Sequence, residues 1–513
     1  MLIGDVLSLG AANWPERVAL VAGKERRTFA QLQADCLRLA NGLSRLASPG
    51  DRVAILARNV PAYVEALYGV PTAGMVLTLL NYRLHPKEWT GIMAAAGARV
   101  LIVDREFVDD IRPVLTEVPT LEHPLVIGGA SDGYGTPYEE LVASASPQQP
   151  PVDISDGDTA WLVYTSGTTG FPKGAMITHR GIVNAAVTMM LAVRPTDRDR
   201  MLMTFPMCHT AAFQMPTYHL CGIPTVLMRS FDAGTFLELV EEHRITLTSL
   251  APTMAAFVLQ HPAIDRHDLS SVRSLGYGGM PMPVATARAL MDRLGTVLVT
   301  GFGQTESTGW VTALTPDDHA RALAGEERLL ESCGRALPLT AVAVMDERMR
   351  RCPPGVPGEL VIRGDLVIKG YWNDRDATAA AFAGGWLHTG DVATMDDEGY
   401  VYLVDRIKDM IVSGGQNVYS SQVEQVLHQH EAVLEAAVIG VPDPVWGETV
   451  VAVVVPRAGM RIDPDDIVAT CGTRLAGYKR PRQVHVVDEL PKNITGKVLK
   501  RELRARFASE TAP

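Results

Sequence analysis

The sequence predicts an α/β fold: a large α/β body, a β-rich module appended to it, and a small α+β domain at the C-terminal end. Three observations carry this. Apolar β-branched runs alternate with helical periodicity through most of the 513 residues, the pattern of parallel sheets flanked by helices. From Ser332 to Tyr402, Gly and Pro instead punctuate short strand-like runs, as in PPGVPGELVIRG. Beyond Asp405 a further set of helix and strand patterns runs for about 100 residues, an ordinary domain size.

Taken in order, the longest apolar stretch is Val64–Leu80. It contains Glu65, Pro71 and two glycines, so it is too broken to span a membrane and predicts a buried helix, with a kink at Pro71. Thr159–Tyr164 reads as a buried strand ending at a glycine-rich loop, and Val183–Leu191 as a helix beyond it. Phe236, Leu239, Val240 and His243 share one helical face, and LTSLA at Leu247–Ala251 follows as a strand. Ser421-Gln422-Val423-Glu424 has the form of a capping box. Val433–Val441 and Val450–Val455 read as strands, and Tyr478–Phe507 is rich in Lys and Arg.

Composition narrows the function. Apolar residues make up 47% and charged residues 20%, ordinary for a globular protein. A net charge of -11 argues against nucleic acid as the main partner, which would want a basic face. The six cysteines are scattered without a C-x-x-C pair. That predicts reduced thiols and a cytoplasmic setting. Neither a secretory signal nor a zinc site is expected.

The chemistry is announced by VYTSGTTGFPKGAMITH at Val163–His179. Glycines let backbone N–H groups approach an anion, hydroxyls donate, and lysine adds charge, so the loop predicts phosphate binding. It is not a Walker A loop, because Lys173 follows Pro172 and Ala175 stands where a magnesium-binding hydroxyl would be needed.

Further segments follow in a fixed order: GYGGMP at Gly276–Pro281, GFGQTES at Gly301–Ser307, and GELVIRG through KGYW at Gly358–Trp372. Then come HTGD at His388–Asp391, DRIKDMIVSGGQNVY at Asp405–Tyr419, and PKNITGKVLKREL at Pro491–Leu503. Together with the loop, these resemble the adenylate-forming superfamily, which includes acyl- and aryl-CoA synthetases, peptide-synthetase adenylation domains and firefly luciferase. The resemblance spans most of the chain. It implies an N-terminal domain of two α/β subdomains plus the β-rich module over 1–405, a hinge at 406–408 and a C-terminal lid over 409–513.

The resemblance also implies roles. Thr165, Ser166, Gly167, Thr168, Thr169, Gly170 and Lys173 would hold the β- and γ-phosphates of ATP. Glu306, with Thr165, would bind Mg²⁺, and Thr305 would contact the α-phosphate. Phe302 stands where many members carry tyrosine against adenine, and Gly278, Gly279 and Met280 would line the other side of the base, with Gln304 nearby. Asp391 would accept from the ribose hydroxyls, as suits a carboxylate facing a diol, and Arg406 would also reach the ribose. Lys497 would bridge the carboxylate and the α-phosphate. Gly415 would line the channel for the CoA arm, and Lys408 would be the hinge. His209, Thr210, Met254 and Gly303 would form the acyl pocket, His209 at its entrance. Alone, any of these charges would read as a helix cap or a surface ion.

The implied reaction makes chemical sense with these groups. A carboxylic acid, with a pKa of about 4, is already ionised at neutral pH, so adenylation needs no general base. The obstacle is an anion meeting a polyanion, answered by cations and hydrogen-bond donors at the α-phosphate. Pro206–Met228 contains no Asp, Glu, Lys or Arg. An amino-acid substrate would want a carboxylate for its ammonium, so an acid with an uncharged acyl or aryl chain is expected, a fatty acid foremost. Cys208 replaces an aromatic residue common in the family beside His209. SGGQN at Ser413–Asn417 and VPDPVWGE at Val441–Glu448 resemble the CoA synthetases most. The expectation is therefore an AMP-forming acyl-CoA synthetase that uses ATP, Mg²⁺ and coenzyme A. An aryl-acid CoA ligase, a ligase loading a carrier protein and a non-catalytic nucleotide-binding member are the rivals. Peripheral membrane association and a homodimer stay open.

Overall fold

In the computed structural model, residues 1–129, 133–165, 172–279, 282–492 and 498–508 are described. They form two compact units. One comprises residues 1–342, 362–388 and 398–400, and the other comprises 343–361, 389–397 and the chain from Val401 onward. Compactness thus divides the β-rich stretch Ser332–Tyr402 between the two units, with residues 343–361, 389–397 and 401–402 going with the C-terminal residues.

The first unit holds two seven-stranded sheets of one plan, each with six parallel strands closed at one edge by an antiparallel strand. In the first, the order is Leu298–Thr300, Ser274–Tyr277, Leu247–Leu250, Met201–Met203, Thr225–Leu227, Val18–Ala22 and Glu25–Thr28. In the second it is Thr136–Pro137, His123–Ile127, Ala98–Asp104, Arg52–Leu56, Val76–Leu79, Thr159–Thr165 and Lys173–Thr178. The parallel strands are buried on both faces, which is why they read as continuous apolar runs rather than alternating ones. One apolar core joins residues of both sheets, such as Leu20, Leu227, Val53 and Val163, with Ile3, Phe29, Leu67 and Met215 from the helices.

The stretch Val64–Leu80 is not one buried helix. The helix Pro61–Thr72 ends within it, and the strand Val76–Leu79 follows after a turn at Gly74 (φ 72°). Pro71 therefore sits one residue from the helix end, where it terminates rather than kinks. Lacking an N–H, Pro71 cannot bond the Leu67 carbonyl one turn back. The indole N–H of Trp161, in the strand that leads to the phosphate loop, donates to that carbonyl at 3.0 Å. The helix after the loop runs His179–Val193, longer than the apolar face alone suggested. In the helix Ala233–His243 the buried residues are Phe236, Leu237 and Val240, so Leu237 replaces Leu239 on the inner face.

In the second unit, strands Ala341–Met345, Gly358–Arg363, Leu387–Met395 and Val401–Arg406 lie side by side in chain order, the first and third beginning in the other unit's residues. A five-stranded sheet follows, built around the hairpin Val433–Asp443 and Gly447–Pro456. Alternate residues serve opposite faces. Val438, Val450, Ala452 and Val454 pack with Val423, Leu427 and Ile467, while Ile439, Val451 and Val453 pack with Leu503 and Phe507. Burial on both sides explains the unbroken valines. The capping box at Ser421–Glu424 does not form, because the helix Ser420–Leu427 begins two residues earlier than that box requires and its N-cap, Tyr419, makes no side-chain cap. The Asp405 carboxylate instead accepts from the Ser420 and Ser421 N–H groups. Glu424 is drawn away to the Val438 N–H (2.8 Å) and Lys500 (2.7 Å).

Candidate active site

In the first unit the site begins at an edge hairpin. Thr165 ends the last parallel strand, and Lys173 opens the antiparallel return strand directly across from it. The loop thus joins two strands and does not run straight into a helix N-terminus. Ser166, Gly167, Thr168, Thr169 and Gly170 lie outside the described residues, as do Met280 and Lys497.

The KGYW segment clamps this hairpin. The Met176 N–H donates to the Gly370 carbonyl at 2.9 Å and the Trp372 N–H to the Gly174 carbonyl at 2.7 Å. Gly174 is required there, since a Cβ would fall 2.9 Å from the Tyr164 ring. The clamp delivers Tyr371. Its hydroxyl donates to Glu306 Oε1 at 2.9 Å, and the Lys173 ammonium lies 5.3 Å from its ring centroid, within cation–π reach. Thr165 Oγ1 donates to the same Glu306 oxygen at 3.3 Å. Burial, with Glu306 second, pushes the Tyr371 hydroxyl well above its ordinary pKa, so it remains a donor. Thr165, Lys173 and Glu306 are brought together as the sequence implied. Tyr371 was missed, although KGYW was among the motifs, because nothing local says where its hydroxyl points.

Glu306 and Thr305 occupy a single 3₁₀ turn, Thr305–Ser307, directly after the short strand Gly303–Gln304, which pairs with Gly309–Trp310. The turn is pinned by Ser307 Oγ, which accepts from the Gln304 N–H at 3.0 Å and donates to the Gly309 carbonyl at 2.8 Å. Gly303 has no substitute here, since a Cβ would sit 2.2 Å from the Gly309 carbonyl oxygen. Phe302 is 8% exposed, between the Gly278–Gly279 segment and this turn in the chain's motif order. Gln304 Nε2 is buried without a hydrogen-bond partner among the described residues.

His209 Nε2 is also buried without a hydrogen-bond partner among the described residues. Burial, helped by Arg83, lowers the His209 pKa to about 4, so the ring is neutral at physiological pH. Cys208 is buried with its thiol 3.6 Å from Asn81 Oδ1, and burial pushes it up to about 12, which leaves it inert as a nucleophile. Met254 is half-buried near the start of the helix Pro252–Gln260. The side chain of Thr210 lies outside the described residues. A cavity of the first unit is lined by other residues, among them Gln214, Ser249, Gly276 and Trp310.

In the second unit, Asp391 and Arg406 are direct partners across two antiparallel strands, and Arg406 Nε meets Asp391 Oδ1 at 2.5 Å. The turn before Asp391 is set by Thr389, whose hydroxyl donates to the Leu360 carbonyl at 2.6 Å and accepts from the Asp391 N–H at 3.1 Å. Lys408 is exposed in the 3₁₀ turn Ile407–Asp409, while its neighbour Asp409 is buried and held by Arg504 at 2.9 Å. Gly414 and Gly415 form the two-residue turn of a hairpin in which Ser413 pairs with Gln416. Both have positive φ, 58° and 76°, as a type I′ turn demands. A Cβ on Gly415 would meet nothing within 4 Å, whereas one on Gly414 would strike the Trp446 ring at 2.7 Å. Gly415 is thus the open face of that turn.

No helix among the described residues is long and apolar enough to cross a membrane. The family model for AMP-binding enzymes matches residues 8–372, and that for their C-terminal domain matches 422–497. The chain is 40% identical to a feruloyl-CoA synthase of Amycolatopsis over 97% of its length and 99% of that protein's. It is 37% identical to the long-chain-fatty-acid–CoA ligase FadD13 of Mycobacterium tuberculosis over 95% and 94%. A solved Mycobacterium tuberculosis fatty acyl CoA synthetase superposes with a TM-score of 0.81 at 34% identity, covering 99% of each chain. The chain belongs to the AMP-binding enzymes, the adenylate-forming superfamily that its motifs resemble.

Proposed function

We propose that this AMP-binding enzyme joins an uncharged carboxylic acid to the α-phosphate of ATP and then passes the acyl group to coenzyme A. A carboxylate oxygen attacks the α-phosphorus, and the bond to the β-phosphate breaks to release pyrophosphate. The CoA thiolate then attacks the acyl carbon, and AMP leaves. The thiol's pKa of about 8.5 leaves a few per cent thiolate at neutral pH, enough for a strong nucleophile and a good leaving group. This is the reaction of an AMP-forming acid–thiol ligase.

The observation that carries the reading is the convergence of Thr165, Lys173, Tyr371 and Glu306 at one hairpin mouth. Two hydroxyls aim one carboxylate beside a loop of hydroxyls and glycines, with a lysine at the loop's far end. Glu306 and Thr165 fit a hard cation, because Mg²⁺ takes one or two carboxylates and completes its shell with phosphates and water. When bound, Mg²⁺ would offset the phosphate charge that repels the incoming carboxylate.

The remaining roles are our assignments. Lys173 and the loop hold the outer phosphates, Thr305 meets the α-phosphate, and Asp391 with Arg406 receives the ribose. Lys497 serves adenylation and Gly415 serves the thiol, with Lys408 as the pivot of the lid. The test is a carboxylic-acid panel scored for AMP and pyrophosphate, with and without CoA, and for thioester by mass spectrometry. A thioester that depends on CoA supports the reading. An acyl-AMP pool unchanged by CoA would point to a carrier protein as acceptor. Lys497→Ala is expected to lower pyrophosphate release by ~10²-fold, the scale of one lost transition-state contact. Thioester formation from supplied acyl-AMP should survive it, and an equal loss in both half-reactions would remove the assigned role.

A further inference from the structure

One cavity of the first unit is lined by Gln214, Tyr218, Ser249, Gly276 and Trp310, with Met189 and Val193 from the helix after the phosphate loop. Gly276 lines it, and Trp310 on its wall stands close to Gly278 and Gly301. A Cβ on Gly301 would touch the Trp310 ring at 3.2 Å, and one on Gly278 would come 3.9 Å from Trp310 Nε1. Glycine at position 276 keeps the chamber open, because a Cβ there would fall 2.8 Å from Ser249 Oγ. Its volume is about 10 Å³, the room of roughly one water molecule.

The walls are uncharged, yet they are not inert. Gln214 Oε1 is buried without a hydrogen-bond partner among the described residues, and Ser249 belongs to the same lining. An unpaired buried amide oxygen is costly to leave unmade, and an amide can be turned either way. A hydroxyl, which donates and accepts, satisfies Gln214 in both orientations. A carboxylate or ammonium would be buried here without a counter-charge.

We propose that Gln214, backed by Ser249, reads a hydroxyl at the end of the acid distant from its carboxylate, so that the preferred substrates are hydroxylated acids. The hydroxyl takes the water-sized chamber, and the Trp310 indole flanks the chain or ring that carries it. This inference rests on the acyl-CoA synthetase reading and names the substrate class of that same site.

Two matched pairs test it: 4-hydroxycinnamate against cinnamate, and 12-hydroxydodecanoate against dodecanoate, each scored as kcat/KM for CoA-thioester formation. The hydroxylated member of at least one pair should win by about ten-fold or more, since a site built to bond a hydroxyl rejects the analogue that leaves its own group unpaired. Gln214→Leu should abolish or invert that preference. Gln214→Asn, which withdraws the amide by one methylene, should shrink it, and it stands in if the leucine variant does not fold. Equal kcat/KM within both pairs, or a ratio untouched by either variant, overturns the inference while leaving the synthetase reading intact. No thioester from any of the four acids or from the wider panel would instead remove the reading on which it rests.

Discussion

Two glutamate–tyrosine pairs in the first unit make one hydrogen bond each and come to opposite ends. Tyr138 donates to Glu65 at 2.6 Å, and Tyr371 donates to Glu306 at 2.9 Å. Glu65 is 6% exposed in the helix Pro61–Thr72. Burial pushes its pKa up to about 7, against the pull of the Tyr138 hydroxyl. Glu306 is half-buried at a hairpin mouth, with Thr165 as a second donor and a lysine beside its tyrosine. A carboxyl held in the interior tends to keep its proton, whereas one at an open, cation-lined edge can offer its charge to a ligand. The pairing chemistry does not separate a structural carboxyl from a functional one; the surroundings do.

The sharpest way to break this comparison is Glu306→Gln, which keeps shape and removes charge. It should lower adenylation by ~10²–10³-fold, as loss of a preorganised electrostatic group does, with no drop in thermal stability. Pyrophosphate release at saturating ATP and Mg²⁺ measures it, and near-normal turnover would place Glu306 with Glu65 among the structural carboxyls.

The same change at position 65 should act on stability alone. A carboxyl whose folded pKa is raised from 4.5 to about 7 binds more protons folded than unfolded across that window. Its contribution is whole below about pH 4.5, drains away as pH rises to about 7, and stays lost above. Glu65→Gln escapes this loss, so it should gain up to about 3 kcal/mol over the parent at pH 8 and little at pH 4.5. Paired thermal melts at the two pH values decide it, and a gain independent of pH would mean that Glu65 is not held as argued.

The smallest effect should come from Tyr371→Phe. Only one of the two donors to Glu306 is lost, so adenylation should fall about ten-fold, the scale of one charge-assisted hydrogen bond, while the affinity for the acid is unchanged. A loss as deep as that of Glu306→Gln would make Tyr371 a direct ligand contact and not a positioning residue.

Much of this was legible in the sequence because the parallel strands are apolar on both faces and the motifs recur in a fixed order. The strand into the loop, the helix after it and the valine hairpin of the second unit stand where their patterns put them. What stayed hidden depends on partners distant in the chain. Glu65 read only as an interruption of an apolar run, and its partner lies 73 residues on. Ser421–Glu424 has every local mark of a capping box, yet Asp405, 15 residues before Ser420, supplies the cap. Tyr371 and Gln214 carried no local signal at all, since one is defined by where a hydroxyl points and the other by what its amide fails to meet.

Pro71 has a consequence for how the protein tolerates change. Elsewhere in a helix, a lost tertiary contact leaves the backbone bonds in place. At Leu67 the backbone bond has been given up in advance, and its carbonyl depends on an indole from the strand that feeds the phosphate loop. Substitutions at Trp161 are therefore read twice, once as a hole in the core and once as a stranded carbonyl that the helix has no N–H to answer. The helix and the strand that feeds the loop are thus fastened through that one indole bond, and the fastening depends on both Pro71 and Trp161.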